Sequence, residues 1–182
     1  MKAVVWAGGL GTRLKPLTNE RQKCMLDVGG KPCLSRIIDH LIEFGVTQII
    51  VKVHHKSEEV MNCFGSQVLY HYQKELKEEE ESLEELKPFL KDDFCIVVNG
   101  DTISDVDLSK MMNLAQNFYG KPKNVKFMAK LKSKDVYAGT MILCPSYWTG
   151  DKSFVYSYLP NYWFDIGTFN GLLKAREFFN KQ

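Results

Sequence analysis

The chain has no cysteine pair at C-x-x-C spacing, no apolar run long enough to cross a bilayer and no excess of one charge sign. Each absence removes a class of protein. Its five cysteines, Cys24, Cys33, Cys63, Cys95 and Cys144, are odd in number and widely spread. That pattern argues against a disulfide framework and a zinc site, and favours a reducing, cytoplasmic setting. No stretch approaches the roughly 18 to 20 apolar residues of a membrane helix, and Met1-Lys2 leads straight into a strand-like run without a signal-peptide core, so a soluble, untargeted protein is expected. With 24 basic and 22 acidic residues, a formal net charge of +2, nothing global draws the surface to nucleic acid or to an anionic membrane. Internal repeats, low-complexity linkers and composition breaks are also missing. Residues 1–182 are therefore expected to form one domain, and a hydrophobic content of 45% suffices for its core.

What is present is an alternation. Short apolar, β-branched runs over 3–7, 48–53, 67–72, 94–98 and 125–131 read as strands. Between them, Leu34, Ile37, Ile38, Leu41 and Ile42 recur at helical spacing up to Gly45, and 60–64 form a shorter helix stopping at Gly65. Repeated βα order implies a mostly parallel sheet with helices on both faces, and ligands at the C-terminal ends of its strands. Segment 74–87 carries seven glutamates against three lysines. It reads either as an acidic tail or, through the stripe Leu76, Leu83, Leu86 and Leu90, as a solvated surface helix; the helix is preferred, and no chemistry is assigned to it.

The strongest motif, Ala7-Gly8-Gly9-Leu10-Gly11-Thr12-Arg13-Leu14, directly follows the first strand. Glycines allow a sharp turn and leave consecutive N–H groups open to phosphate oxygens. Arg13 adds a charged fork for a triphosphate. No Gly-Lys-Ser/Thr follows, so this is not a Walker A loop, and Leu14 stands where the dinucleotide fingerprint has its third glycine. A tight strand-to-helix turn that merely needs glycine is the alternative.

Extended through Lys15-Pro16-Leu17-Thr18, Lys23-Cys24-Met25-Leu26 and Gly30-Lys31-Pro32, the motif resembles the N-terminal signature of the sugar-phosphate nucleotidyltransferases. The resemblance implies an α/β fold, a three-layer, Rossmann-like sandwich around a mostly parallel but mixed sheet. It also implies that Ala7, Gly8, Gly9, Leu10, Gly11, Thr12 and Arg13 hold the nucleotide, and that Arg13 and Lys23 neutralise the triphosphate and the departing pyrophosphate. The family usually has proline where Cys24 stands, a departure expected to loosen that turn.

Asn99-Gly100-Asp101 follows the 94–98 strand, so Asp101 falls on the same rim as the glycine loop, with Gly100 beside the nucleotide. A carboxylate there suits Mg²⁺, a hard ion that binds through one or two carboxylates plus phosphates and water; an Asp turn or helix cap is the alternative, and Asp105 or Asp107 would cap the following helix equally well. Asp165-Ile166-Gly167-Thr168 brings a second carboxylate in another apolar run. In the resembled family, aspartates at these two positions are the metal ligands, so the resemblance implies Mg²⁺ on Asp101 and Asp165.

The activity so implied joins a nucleoside triphosphate to a sugar 1-phosphate, by in-line attack on the α-phosphorus with release of pyrophosphate, through positioning and charge neutralisation. His40, His54, His55 and His71 show no triad or metal spacing and are expected to be structural or on the surface. Two alternatives stand beside it: a cytidylyltransferase acting on a phosphorylated non-sugar acceptor, and a nucleotide-binding regulatory module without catalysis. Many members carry Leu-Gly-Thr-Ala where this chain has 76–83, and Glu-Lys-Pro in the acceptor half, where only Lys130, Lys132 and Lys134 are available. Gly139 matches a strand glycine whose backbone faces the sugar, or marks a bulge. The acceptor is expected to be small. The aromatic set Tyr147, Trp148, Phe154, Tyr156, Tyr158, Tyr162, Trp163 and Phe164 reads mostly as core or subunit contact, self-association being an expectation without assigned symmetry.

Overall fold

In the computed structural model, which describes residues 1–90, 93–117, 124–131, 134–144 and 154–181, the first apolar runs become parallel neighbours. Lys2–Trp6 (β1) lies between Gln48–Val53 (β2) and Cys95–Asn99 (β4), and Leu69–Tyr72 (β3) pairs with the far side of β2. These strands need apolar residues on both faces because helices cover both; Ala3, Val4 and Val5 are fully buried in succession. The strand expected over 67–72 is shorter, since Gly65–Gln67 form a 3₁₀ turn first.

Three further strands extend the sheet beyond β4. Thr102–Ser104 (β5) lies outside it, whereas Val125–Leu131 (β6), Lys134–Leu143 (β7) and Phe154–Tyr158 (β8) complete the order β3-β2-β1-β4-β7-β6-β8. The pairs β4–β7 and β6–β7 are antiparallel and β6–β8 is parallel, so the seven-stranded sheet is mixed. β5 instead pairs antiparallel with Trp163–Asp165 (β9) in a separate two-stranded ribbon.

Helices Leu17–Glu20 (α1), Cys33–Glu43 (α2), Ser57–Phe64 (α3), Glu79–Leu90 (α4), Leu108–Asn117 (α5) and Phe169–Phe179 (α6) complete the described elements. α2 and α3 stop just before Gly45 and Gly65, as the spacing predicts. Side-chain alternation along β1 divides the core in two. Val4 packs with Ile50, Val97 and the α4 residues Leu83, Leu86 and Leu90, while Val5 joins the larger cluster containing Leu34, Ile38 and Leu41 of α2. The result is the expected three-layer α/β arrangement.

Segment 74–87 folds as a surface helix only from Glu79. Three leucines of its stripe are buried, but Leu76 precedes the helix and is exposed. Four aromatic residues, Tyr162, Phe164, Phe178 and Phe179, pack between β9 and α6 with ring centroids 5.0 to 6.1 Å apart, which is the core role expected for Tyr162 and Phe164. Tyr147, Trp148 and the side chain of Phe154 lie outside the described residues.

Candidate nucleotide and metal site

After β1 the chain must leave the sheet within a few residues, and the sequence supplies the means. Gly11 adopts φ +65°, a left-handed conformation that L side chains rarely take, and a Cβ there would stand 2.8 Å from Thr18 Cγ2. The Thr18 hydroxyl donates to Gly11 O at 2.8 Å. Gln22, fully buried, donates from Nε2 to Ala7 O at 2.5 Å and to Gly9 O at 3.1 Å. The loop carbonyls are thus turned inward and held. Among the described residues, no N–H from Gly8 to Arg13 is engaged by another protein group. A run of free N–H donors is what an anion-binding nest requires.

Gln22 also accepts from Cys24 N at 2.7 Å. This corrects the expectation that cysteine in place of proline loosens the turn: Cys24 has an N–H that proline lacks, and Gln22 ties it into a 3₁₀ turn over Lys23–Met25. Burial, aided by the nearby Asp101 charge, raises the pKa of the Cys24 thiol, so it is protonated and serves as packing. Sequence reasoning missed Gln22 because a glutamine between two basic residues looks solvent-facing. The turn aims Lys23 at Asp101, and its Nζ forms an ion pair with Asp101 Oδ2.

Asp101 leaves β4 through Gly100, whose N–H donates to Trp6 O at 2.9 Å. This bond fixes the aspartate beside the glycine loop. In the β5–β9 ribbon Thr102 stands opposite Asp165, and Ile166 N donates to Asp101 O at 2.9 Å, so two residues far apart in sequence become neighbours. Thr168 caps α6, its hydroxyl accepting from Gly171 N at 3.1 Å. Between them Gly167 leaves a gap: a Cβ there would stand 2.8 Å from both Arg13 Nη2 and Asp165 Oδ1, and 3.5 Å from Asp101 Oδ2. Arg13, Asp101 and Asp165 therefore converge on one point.

The capping alternative for Asp101 fails on geometry. Asp107 accepts from Lys110 N at 2.8 Å and caps α5, while Asp105 holds Asn161 through N at 2.8 Å and Nδ2 at 2.6 Å. Asp165 Oδ1 accepts from Gly167 N at 2.7 Å, and among the described residues its second oxygen takes no hydrogen bond. Two hard oxygen donors beside free N–H groups suit Mg²⁺ completed by phosphates and water. Among the described residues no group of three or more His, Cys, Asp and Glu side chains is placed to hold a metal by itself.

A cavity of about 220 Å³ opens between the loop and Asp101, and its lining includes Gly8, Gly9, Lys23, Gly100 and Asp101 together with Lys52, Leu76 and Glu79. Leu76 and Glu79, of the segment 74–87 to which no chemistry is assigned, reach this wall. Lys52 was legible in principle, as the one charged residue in the apolar run Ile49-Ile50-Val51-Lys52-Val53. Leu10, Thr12 and Arg13 are not in the cavity lining; Leu10 lies exposed at the loop tip, and Arg13 faces Gly167.

On the acceptor side, Gly139 has φ +74° and sits where three residues of β7 oppose Phe127 of β6, between the pairs Lys126↔Met141 and Met128↔Tyr137. A Cβ there would fall 2.8 Å from Thr102 Cβ. It marks a bulge packed against the residue next to Asp101. Lys130 lines a different cavity, with Asp105 and Tyr156, Lys134 opens β7, and Lys132 lies outside the described residues. His40 contacts Val106 O and His54 contacts Gln73 O, each at 2.9 Å, and His71 contacts Glu85, all structural roles.

Similarity to known proteins follows the same segments. The family model described as nucleotidyl transferase matches residues 2–135. UTP–glucose-1-phosphate uridylyltransferase AglF of Haloferax volcanii is 33% identical over 62% of this chain and 48% of its own length. The D-glycero-alpha-D-manno-heptose 1-phosphate guanylyltransferase of Campylobacter jejuni is 34% identical over 61% of this chain and 52% of its own. The chain thus spans about half the length of these two curated relatives. The crystal structure of HddC from Yersinia pseudotuberculosis complexed with GMP-PN superposes with TM-score 0.81 at 22% identity, over 98% of this chain and 99% of that one. A putative glucose-1-phosphate thymidylyltransferase from Bacillus anthracis superposes with TM-score 0.81 at 18% identity, over 100% and 96%. These two structures share the fold. No helix among the described residues is long and apolar enough to cross a membrane.

Proposed function

The chain belongs to the nucleotidyl transferase family, and from that premise we propose that it transfers a nucleotidyl group from a nucleoside triphosphate to a sugar 1-phosphate, releasing pyrophosphate. The observation that carries this reading is the convergence of Arg13, Asp101 and Asp165 around Gly167, beside a loop with unengaged N–H donors. The curated relatives named above act, by their names, on hexose and heptose 1-phosphates with different bases, which supports the reaction class and leaves base and sugar open.

The residues divide the work by charge. The N–H groups of Gly8 to Gly11 cradle phosphate oxygens. Arg13 and Lys23 neutralise charge on the triphosphate as it builds on the leaving pyrophosphate. Asp101 and Asp165 would hold Mg²⁺, which when bound screens the two anionic reactants from each other. The backbone around Gly139, bulged against Thr102, supports an approach of the acceptor from the Asp101 side of the sheet. Attack by an acceptor phosphate oxygen on the α-phosphorus then needs alignment more than a protein nucleophile.

Pyrophosphate release, measured with each of the five common triphosphates against a panel of sugar 1-phosphates and against phosphorylated alcohols in the presence of Mg²⁺, tests the proposal. Release with a sugar 1-phosphate supports it. Release only with a phosphorylated alcohol moves the chain to another acceptor class, and triphosphate binding without any release makes it a binding module.

A further inference from the structure

The cavity beside the glycine loop has one wall that the loop does not supply. Lys52 stands at the end of β2, paired in register with Trp6 of β1, and is only 4% exposed. A desolvated ammonium needs partners. One of its three donors goes to Lys77 O at 3.1 Å, and the Trp6 ring centroid lies 5.1 Å from Nζ, which leaves donor capacity for an occupant of the cavity it lines. The lining of the same cavity also includes Glu79, acceptor-only when ionised. Desolvation lowers the pKa of Lys52 and raises that of Glu79; Glu79 opposes the shift in Lys52, and Lys126 and then Lys52 oppose that in Glu79. The segment that carries Glu79 replaces the Leu-Gly-Thr-Ala stretch of many relatives.

Resting on the nucleotidyl transfer reading above, we infer that Lys52 and Glu79 read the nucleobase and that the base they select is guanine. Edge chemistry distinguishes the bases. Guanine alone among the common bases presents an acceptor, O6, next to two adjacent donors, N1–H and the 2-amino group. A carboxylate takes two parallel N–H bonds, and the lysine donates to the carbonyl. Uracil and thymine offer one donor flanked by two carbonyls, which Glu79 would repel. Adenine and cytosine offer one amino donor next to a ring-nitrogen lone pair. The buried lysine and the carboxylate beside the cavity, left half satisfied by these bases, reject them more strongly than an apolar wall would.

The experiment is equilibrium binding of GTP, ITP, ATP, CTP, UTP and dTTP, with Mg²⁺, to the wild-type chain and to Glu79→Gln. ITP differs from GTP only by the missing 2-amino group. The expected result is GTP binding at least about tenfold tighter than ATP, CTP, UTP or dTTP, ITP weaker than GTP, and a Glu79→Gln variant in which GTP weakens and the GTP-to-ITP gap closes. Glu79 is exposed and near the start of α4, so the variant's melting curve should match the wild type. A pyrimidine triphosphate or ATP binding tightest, or an unchanged GTP-to-ITP ratio in Glu79→Gln, overturns the base assignment while nucleotide binding itself stands. Failure of every triphosphate to bind overturns the parent reading instead.

Discussion

Lys23 and Asp101 form one ion pair, each side chain less than one fifth exposed, 18% and 17% respectively. The cation expected to face the triphosphate therefore rests on a carboxylate expected to hold the metal. On the proposed reading, ligand arrival would separate them, the metal taking the aspartate and the phosphates the lysine.

Competition for Asp101 gives the first prediction. Lys23→Met should bind Mn²⁺ more tightly than wild type when no nucleotide is present, by about tenfold, equivalent to about 1.4 kcal/mol, while losing pyrophosphate release. Metal titration by calorimetry reads the first effect. An unchanged or weakened Mn²⁺ affinity would show that the lysine does not compete for the carboxylate.

Asp101→Asn and Asp165→Asn remove charge but little volume from partly exposed positions. Turnover should fall at least about a hundredfold in each, the scale seen when one stabilising group is lost from a transition state, with melting temperatures close to wild type. Retention of activity in either variant would remove that aspartate from the site.

Gly167 has no left-handed φ, so alanine is tolerated by the backbone, yet its Cβ would meet Arg13 Nη2 and Asp165 Oδ1 at 2.8 Å. Both are ends of flexible side chains and will swing away. Gly167→Ala should therefore fold normally and lose most of its pyrophosphate release; wild-type kinetics would mean that the convergence point is not where the reaction occurs.

Replacing Gln22 by alanine strips partners from Ala7 O, Gly9 O and Cys24 N at a fully buried position. Unsatisfied buried groups cost about 1–3 kcal/mol each, so urea denaturation should show a clear loss of stability. Triphosphate affinity should fall with it, because the loop carbonyls are no longer held inward. A stable variant with intact affinity would make Gln22 dispensable to the loop.

Glu85 supplies a pH signature away from the site. Hydrogen bonds from Lys77, Gln73 and His71 lower its pKa from 4.5 to about 2. A folded-state value below the unfolded one adds stability that is fully present above about pH 4.5 and is lost as pH falls towards 2. Glu85→Gln should lower the melting temperature modestly at neutral pH and flatten its acid dependence in that window; solvent screening keeps the effect small. Parallel pH profiles for the two proteins would count against these bonds.

Much of this architecture is legible along the chain because it is written in local chemistry. Consecutive apolar residues at 3–5 and 49–51, all but Ala3 β-branched, announce strands buried on both faces, and a glycine-rich turn immediately after a strand announces a loop open to phosphate. Asp101 and Asp165 are visible through their places at the ends of apolar runs. What no local pattern carries is pairing across distance. The β5–β9 ribbon that sets Thr102 opposite Asp165, the antiparallel β7 between β4 and β6, and the bulge at Gly139 depend on which segments meet, and strand partnership is decided by packing over the whole sheet.

Residue type and local spacing, then, determine the glycine loop, since backbone freedom belongs to the residues themselves. Lys23 and the pairing of Asp101 with Asp165 are legible only through the family resemblance, because a lone lysine reads as a surface residue and a lone aspartate as a turn or cap. Only tertiary structure decides that Gln22 is buried under the loop, that Lys52 faces a cavity from inside an apolar strand, and that Leu76 and Glu79 of an acidic surface segment close that cavity. The physical reason is that desolvation and hydrogen-bond partnership are properties of a place in the packed molecule: the same glutamine and lysine in an exposed segment would be solvated by water and have no wall to form.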